Sequence, residues 1–340
     1  METRTDNKIV LVTRPTRLAE LVARFNTVGQ ARFYVEHLGA DFSDYQREDE
    51  TYGNALAGTQ TALGKIGRVQ VVERKFLSNF LFAKEDTIVV LGQDGLVANT
   101  LKYLDGQPVV GVNPDPTRWD GRLLPFQVRD LEKLLPEVLA GRRPFRSVTM
   151  GRALLIDGQS LLGVNDLFIG PRTHTSARYV IQSGDAREAH SSSGVIISTG
   201  MGASGWLKSL LTGAEAVSHA AATIGSGSSR SRRRKEALMA KASHGTHEPP
   251  HAACYDHVAN DFQWDSDYLF FTVREPFPTR TTGASLVFGR VTRDAPLVIE
   301  SQMAENGVIF SDGIEQDFLE FNSGARAVIG VADRTGVLVV

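Results

Sequence analysis

The order of apolar and polar residues predicts two parts: an N-terminal α/β domain on a parallel, doubly wound sheet, and a β-rich C-terminal domain. Three observations carry that expectation. Through residue 141, short runs dense in β-branched residues alternate with stretches of helical period. After Pro144, short Val, Ile, Leu and Phe runs follow one another with turn residues between them and few helical stretches. At 340 residues, with 42% hydrophobic and 22% charged residues, the chain has ordinary globular composition and enough length for two cores.

In chain order, KIVLVT (8–13) reads as a strand and RLAELVARF (17–25) as a helix, followed by a long polar amphipathic stretch to residue 67. VQVVERK (69–75), TIVVLG (87–92) and PVVGVN (108–113) read as strands, with a helical VANTLKYL (97–104) among them. VRDLEKLLPEVLAG (128–141) repeats apolar residues at i, i+3 and i+4, the stripe of a helix packed on a sheet. The α/β part is expected over 1–145, with the boundary near 142–147, and the β-rich part over 146–340. That second part holds strand-like ALLI (153–156), DLFIG (166–170), ARYVIQSG (177–184) and GVIIST (194–199), then a helical WLKSLL (206–211). YLFFTV (268–273), ASLVFGRV (284–291), PLVIES (296–301), GVIFSDG (307–313) and ARAVIGVA (325–332) complete it. Residues 224–252, rich in Ser, Gly, Arg and His, read as an exposed excursion, with a short helix expected over 233–241.

Composition excludes some classes of function. A formal charge of -2 gives no global pull toward nucleic acid or anionic membrane, and neither is expected as a partner. The single cysteine, Cys254, excludes an internal disulfide framework and suits a reducing compartment, so the expected location is the cytoplasm. The early apolar run, Ile9 to Thr13, is too short for a signal core, and no stretch approaches the eighteen apolar residues of a membrane span. The run Arg230, Arg232 to Lys235 lacks interleaved aromatic residues and reads as a solvated loop. His244, His247, His251, Cys254 and His257 have zinc-like spacing, but Pro249-Pro250 among them and the lack of a flanking core favour a loop; no metal site is expected.

Chemistry concentrates at strand ends. Gly92-Gln93-Asp94-Gly95 lies between a buried strand and a helix, where parallel sheets bind ligands. Glycines admit close approach of a ligand to the backbone, N–H groups at the helix start favour anions, and a carboxylate there can orient or deprotonate a hydroxyl. Taken alone the turn reads first as an ordinary capped helix start. Asn113 and Asp115 follow the next strand and open onto the same sheet edge. Asn165-Asp166 precede a third strand. The fourth segment, Ser198-Thr199-Gly200-Met201-Gly202-Ala203-Ser204-Gly205-Trp206, crowds hydroxyls and glycines into one turn. Its glycines spell GxGxxG, but no strand ending in an acidic residue follows about 20 positions on, as a dinucleotide fingerprint requires. Trp206 two places after Ser204 excludes a nucleophile elbow, and GTQTALGKI departs from the P-loop in both spacing and Ile66.

The ordered set resembles the NAD kinase family, whose pattern is GGDG, a GVN strand, an NE pair, a Gly/Ser/Thr turn of the STPTGSTAY type, and a late DG, here Asp312-Gly313. GVNPDP, Ser192-Ser193-Gly194 and Arg274-Glu275-Pro276 resemble the mitochondrial-type branch, and the likeness runs from residue 8 to 338. It implies a fold of the NAD kinase and diacylglycerol kinase kind. The implied reaction is transfer of the terminal phosphoryl of ATP, with Mg²⁺, to the 2′-hydroxyl of the adenosine ribose of NAD. Asp94 would be the catalytic residue. Gly92, Gln93, Gly95, Asn113, Asn165, Asp166, Ser198, Thr199, Gly202, Ser204 and Trp206 would bind nucleotide, and a homodimer or higher homo-oligomer is implied. The chain departs from the pattern at Gln93 for Gly, Leu96 for Thr, Asp166 for Glu and Ser193 for Asp. Those departures leave two alternatives: a nucleotide-binding or regulatory protein with weakened catalysis, or a kinase of a related hydroxyl substrate such as a sugar or nucleoside.

Overall fold

The structure, a computed structural model, describes residues 8–225, 255, 258 and 260–340. The chain forms two compact units, one of residues 1–150 with 333–340 and one of 151–332. The Arg230–Lys235 run, the expected 233–241 helix and the His244, His247, His251, Cys254 and His257 set lie outside the described residues.

The first unit is α/β. It opens with β1 (Lys8–Thr13), α1 (Arg17–Phe25), α2 (Val28–His37) and α3 (Phe42–Ile66). Thr16, Thr27 and Asp41 start the three helices, each side chain accepting a backbone N–H of the first turn. Then follow β2 (Arg68–Glu73), β3 (Thr87–Leu91), α4 (Asp94–Leu101), β4 (Pro108–Val112) and α5 (Leu131–Leu139). The strands pair in parallel in the order β2, β1, β3, β4, and Val337 and Leu338 near the end of the chain add to β4 in parallel. The inner strands β1, β3 and β4 are buried on both faces, so they read as continuous apolar runs, whereas the edge strand β2 is largely exposed and mixes Arg, Gln and Glu with its valines. Ile9, Leu11, Val89, Leu91, Val110 and Val112 pack against Tyr52, Ala55 and Leu63 of α3 and Leu131, Leu134 and Leu135 of α5. Val10, Val12, Ile88, Val90 and Val109 are equally buried.

In this order β1 sends its connection to β2 on one side, and β3 lies on its other side. The carboxyl ends of β1 and β3 therefore flank a topological switch point, the usual ligand crevice of an open α/β sheet.

The second unit is almost entirely antiparallel. It receives the end of β5 (Phe145–Leu155), followed by β6 (Ser160–Gly163), β7 (Asp166–Pro171), β8 (Ala177–Ser183), β9 (Ala186–Ser192) and β10 (Val195–Ser198). After α6 (Trp206–Gly225) come β11 (Tyr268–Val273), β12 (Phe288–Thr292), β13 (Leu297–Ser301), β14 (Gly307–Ser311), β15 (Ile314–Glu320) and β16 (Arg326–Val339). A six-stranded sheet runs β12, β11, β10, β7, β14, β15. A second set pairs residues 326–329 of β16 with β13, then β8, then β9. Their inner faces share one core, with Leu167, Ile169, Ile197, Phe271 and Ile309 on one side and Tyr179, Ile181, Ile299 and Ile329 on the other. The outer face of the six-stranded sheet is apolar too. Leu207 of α6 packs there with Phe262 and Phe270, and Trp206 and Leu210 pack with Phe168 and Ile196. No helix of the described residues is long and apolar enough to cross a membrane.

The α/β sheet followed by a β-rich unit agrees with the expectation from sequence. The helix expected at 206–211 extends to Gly225. Three strands went unread, β6, β9 and β15, and the last two close the ends of their sheets. Edge strands keep much of their surface in water, so AREAHSS and IEQDFLE carry charges where a core strand would carry Val and Ile.

Candidate functional sites

In the first unit, Gly92 and Gln93 carry the chain from β3 into α4. Gln93 is the extended residue ahead of the helix, and its carbonyl accepts the N–H of Leu96 at 2.9 Å and of Val97 at 3.3 Å. The N–H groups of Asp94 and Gly95 belong to the first helical turn, which has no carbonyl before it to bind, and the Gln93 side chain makes no capping bond. Gly95 is exposed, and a side chain built there would meet nothing within 4 Å. Gly92 is close-packed instead: a Cβ would lie 2.8 Å from Leu96 Cδ2, so Leu96 forms an apolar floor beneath the turn.

Asp94 is half-buried at the head of α4. Its Oδ1 accepts the N–H of Leu123 at 2.8 Å, which fixes the carboxylate against the 121–124 turn. Its Oδ2 makes no hydrogen bond to another described residue. Asn113 is buried at the end of β4, where Oδ1 accepts the N–H of Asp115 at 3.0 Å and Nδ2 donates to the Trp119 carbonyl at 2.9 Å. Both ends of its amide thus shape the loop that brings Leu123 to Asp94.

Behind the turn, the buried Tyr52 hydroxyl accepts the N–H of Arg14 at the end of β1 and donates to the Leu91 carbonyl at the end of β3, both at 3.0 Å. Arg14 pairs with Glu48 at 3.1 Å, Arg17 pairs with both Glu48 and Asp44, and Arg118 grips Asp44 at 2.7 Å. Hydrogen bonds from Arg118 and Arg17 hold the Asp44 carboxyl well below the usual carboxylate range. This network pins α3 to the mouth of the β1–β3 crevice. Sequence pattern carries no sign of it, because Tyr52 and Glu48 sit in a polar helical stretch whose partners are tens of residues away.

In the second unit, Asn165 and Asp166 meet the Gly/Ser/Thr turn directly. The Thr199 N–H donates to the Asn165 carbonyl at 2.9 Å, and Thr199 Oγ1 donates to the Val164 carbonyl at 2.5 Å. That oxygen accepts the Gly202 N–H at 3.2 Å. Gly202 is required by contact, since a Cβ there would lie 2.0 Å from the Asn165 carbonyl oxygen; at Gly200 it would lie 1.7 Å from that of Gln263. Ser198 is fully buried with its hydroxyl on the Thr199 carbonyl, whereas Ser204 is exposed at the end of a short 3-10 turn.

Asp166 is 8% exposed; burial first, and the charge of Asp312 second, push its carboxyl up to about 7. Trp206 stacks on Phe168 with centroids 5.8 Å apart, and the Arg274 guanidinium lies over its ring at 5.4 Å. Among the described residues no group of three or more His, Cys, Asp or Glu side chains is arranged to hold a metal ion.

Comparison with solved structures gives the same architecture. An NAD kinase from Archaeoglobus fulgidus in complex with ATP matches 98% of this chain and 93% of its own, with 13% identity and a TM-score of 0.50. A yeast NADH kinase complexed with NADH matches 99% of this chain and 84% of its own, again at 13% identity and a TM-score of 0.50. No family model and no curated protein matches the sequence. At this identity the likeness establishes the fold.

Proposed function

We propose that this chain is an NAD kinase, transferring the terminal phosphoryl group of ATP to the 2′-hydroxyl of the adenosine ribose of NAD to make NADP. The observation that carries the reading is Asp94. Its carboxylate stands at the head of a helix, one oxygen fixed by Leu123 and the other without a hydrogen bond among the described residues, beside the first-turn N–H groups of the helix and an unobstructed Gly95. Phosphoryl transfer asks little covalent chemistry of a protein and much positioning, and this arrangement supplies an oriented acceptor for a hydroxyl proton next to an anion-binding helix start.

Mg²⁺ would enter with the donor, shielding its phosphates. A lone carboxylate suits an ion that keeps most of its water and phosphate ligands. Asn165 and Asp166, on a turn that Thr199 fastens through the Val164 and Asn165 carbonyls, would take polar groups of the nucleotide, with Ser198, Thr199 and Gly202 shaping that turn. Trp206, packed on Phe168, would support the same turn from behind. GVNPDP, Ser192-Ser193-Gly194 and Arg274-Glu275-Pro276 support a reading nearest the mitochondrial-type branch, the family reading carries with it a homodimer or higher homo-oligomer, and the single Cys254 supports a cytoplasmic location.

Purified protein with Mg²⁺, ATP and NAD is expected to yield NADP, and Asp94→Asn to lose about 10²-fold or more of that activity while staying folded. Absence of phosphorylation of both NAD and NADH would overturn the reading. One observation favours a second: the Gln93 side chain stands at the helix mouth without a capping bond, where it can crowd a phosphate. On that reading the protein binds NAD with little turnover, and Gln93→Gly raises kcat at unchanged affinity.

A further inference from the structure

Asp312 belongs to none of the roles assigned above. It forms with Gly313 the two-residue connection between β14 and β15, and both residues have positive φ, 55° and 70°. That is the geometry of a hairpin turn whose twist matches its strands, and it disfavours residues with a side chain. The side chain at 312 is nonetheless occupied. Asp312 Oδ1 accepts the N–H of Val164 at 3.0 Å, of Asn165 at 2.6 Å and of Asp166 at 3.4 Å, and Oδ2 accepts the N–H of Val164 at 3.2 Å. In return the Asp312 N–H donates to the Asp166 carbonyl at 3.0 Å. Three successive amides converge on one carboxylate, the nest geometry by which backbone binds an anion. From the other side, Thr199 takes the carbonyls of Val164 and Asn165.

We infer that Asp312 is a positioning residue for nucleotide recognition: its carboxylate preforms the Val164–Asp166 turn, so that Asn165 and Asp166 present their side chains to ligand in one fixed arrangement. The inference rests on the reading of Asn165 and Asp166 as nucleotide-binding. The same carboxylate sets what Asp166 offers. On β10 the register partner of Asp166 is Ser198, on the β14 side its neighbour is Asp312, and among the described residues Asp312 is the charged group whose field acts on it. Near neutral pH burial first, and that field in addition, favour the protonated carboxyl, which donates a hydrogen bond to a ligand acceptor; the ionised form only accepts.

The test compares the full chain with Asp312→Asn and Asp312→Ala, by calorimetric titration with NAD over roughly 1.5 pH units on either side of the Asp166 value of about 7, and by amide hydrogen exchange at residues 164–166. Asn keeps an acceptor oxygen but loses the charge, so Asp312→Asn is expected to retain slow exchange and to shift the pH midpoint of NAD affinity downward. Asp312→Ala is expected to exchange about tenfold faster at 164–166 and to bind NAD about tenfold more weakly. An unchanged midpoint in Asp312→Asn, or wild-type exchange in Asp312→Ala, overturns the inference. If Asp312→Ala fails to fold, the midpoint in Asp312→Asn decides. If the wild type binds no NAD, the nucleotide reading falls, and the exchange measurement still shows separately whether Asp312 holds the turn.

Discussion

Tyr52 donates its hydroxyl proton to the carbonyl of Leu91, the last residue of β3 before the Gly92 turn, at 3.0 Å. The same oxygen accepts the N–H of Arg14, so one phenol spans the switch point between β1 and β3. Tyr52→Phe keeps the ring packed in the core and leaves a buried N–H and carbonyl without that partner. The expected loss is about 1–3 kcal/mol of stability, read by urea denaturation. Under the kinase reading kcat falls as well. Unchanged stability would mean that the crevice does not depend on this bridge.

Asp94 has a structural partner as well as a proposed chemical task, and two substitutions separate them. Asp94→Asn retains an oxygen that accepts the Leu123 N–H, whereas Asp94→Ala does not. Both are expected to be inactive, with the Ala variant less stable than the Asn variant by about 1 kcal/mol. Paired thermal melts and NADP assays measure the two effects independently.

Gly202→Ala would place a methyl group 2.0 Å from the Asn165 carbonyl oxygen, a backbone atom that cannot swing aside. The turn must open. A destabilisation of about 2 kcal/mol or more is expected, with loss of NAD binding by calorimetry. Gly95→Ala is the control, because the space around that residue is open. It is expected to leave stability within about 0.5 kcal/mol of wild type.

Asp166 makes stability depend on pH in an uncommon direction. Its carboxyl titrates near 7 in the folded chain against an ordinary value of 3.8, so between those limits the native state holds a proton that the unfolded chain has released. Its contribution is therefore complete below pH 3.8, declines at up to about 1.4 kcal/mol per pH unit as pH rises, and is lost above about 7. Asp166→Asn, which cannot ionise, is expected to flatten that decline and to gain stability relative to wild type at pH 8. Denaturant midpoints at pH 5 and pH 8 test it, and equal shifts at both would refute the assignment.

The glycine and hydroxyl turns stood out in sequence because each is a local event: a buried strand stops, a helix starts, and the residues between must tolerate tight backbone geometry. The Asp312-Gly313 pair was legible only as the late DG of the family pattern, without the hairpin it closes, since the charged IEQDFLE of β15 does not read as a strand. Its second task, holding the amides of 164–166, was not, because a turn signal carries no information about a side chain's distant partners.

The alternation of β-branched runs with helical stripes in the first 141 residues, and its replacement by short apolar runs after Pro144, already specified an α/β part and a β-rich part. Period and turn chemistry are properties of neighbouring residues, so they survive in a one-dimensional string. The bonds that shape the candidate sites are not of that kind. Tyr52 reaches Leu91 across 39 residues, Asp94 reaches Leu123 across 29, and Asp312 reaches Asn165 across 147. Each joins groups that any Tyr, Asp or backbone amide could supply, and only the strand order and packing of the folded chain select the pairs that come within hydrogen-bond distance.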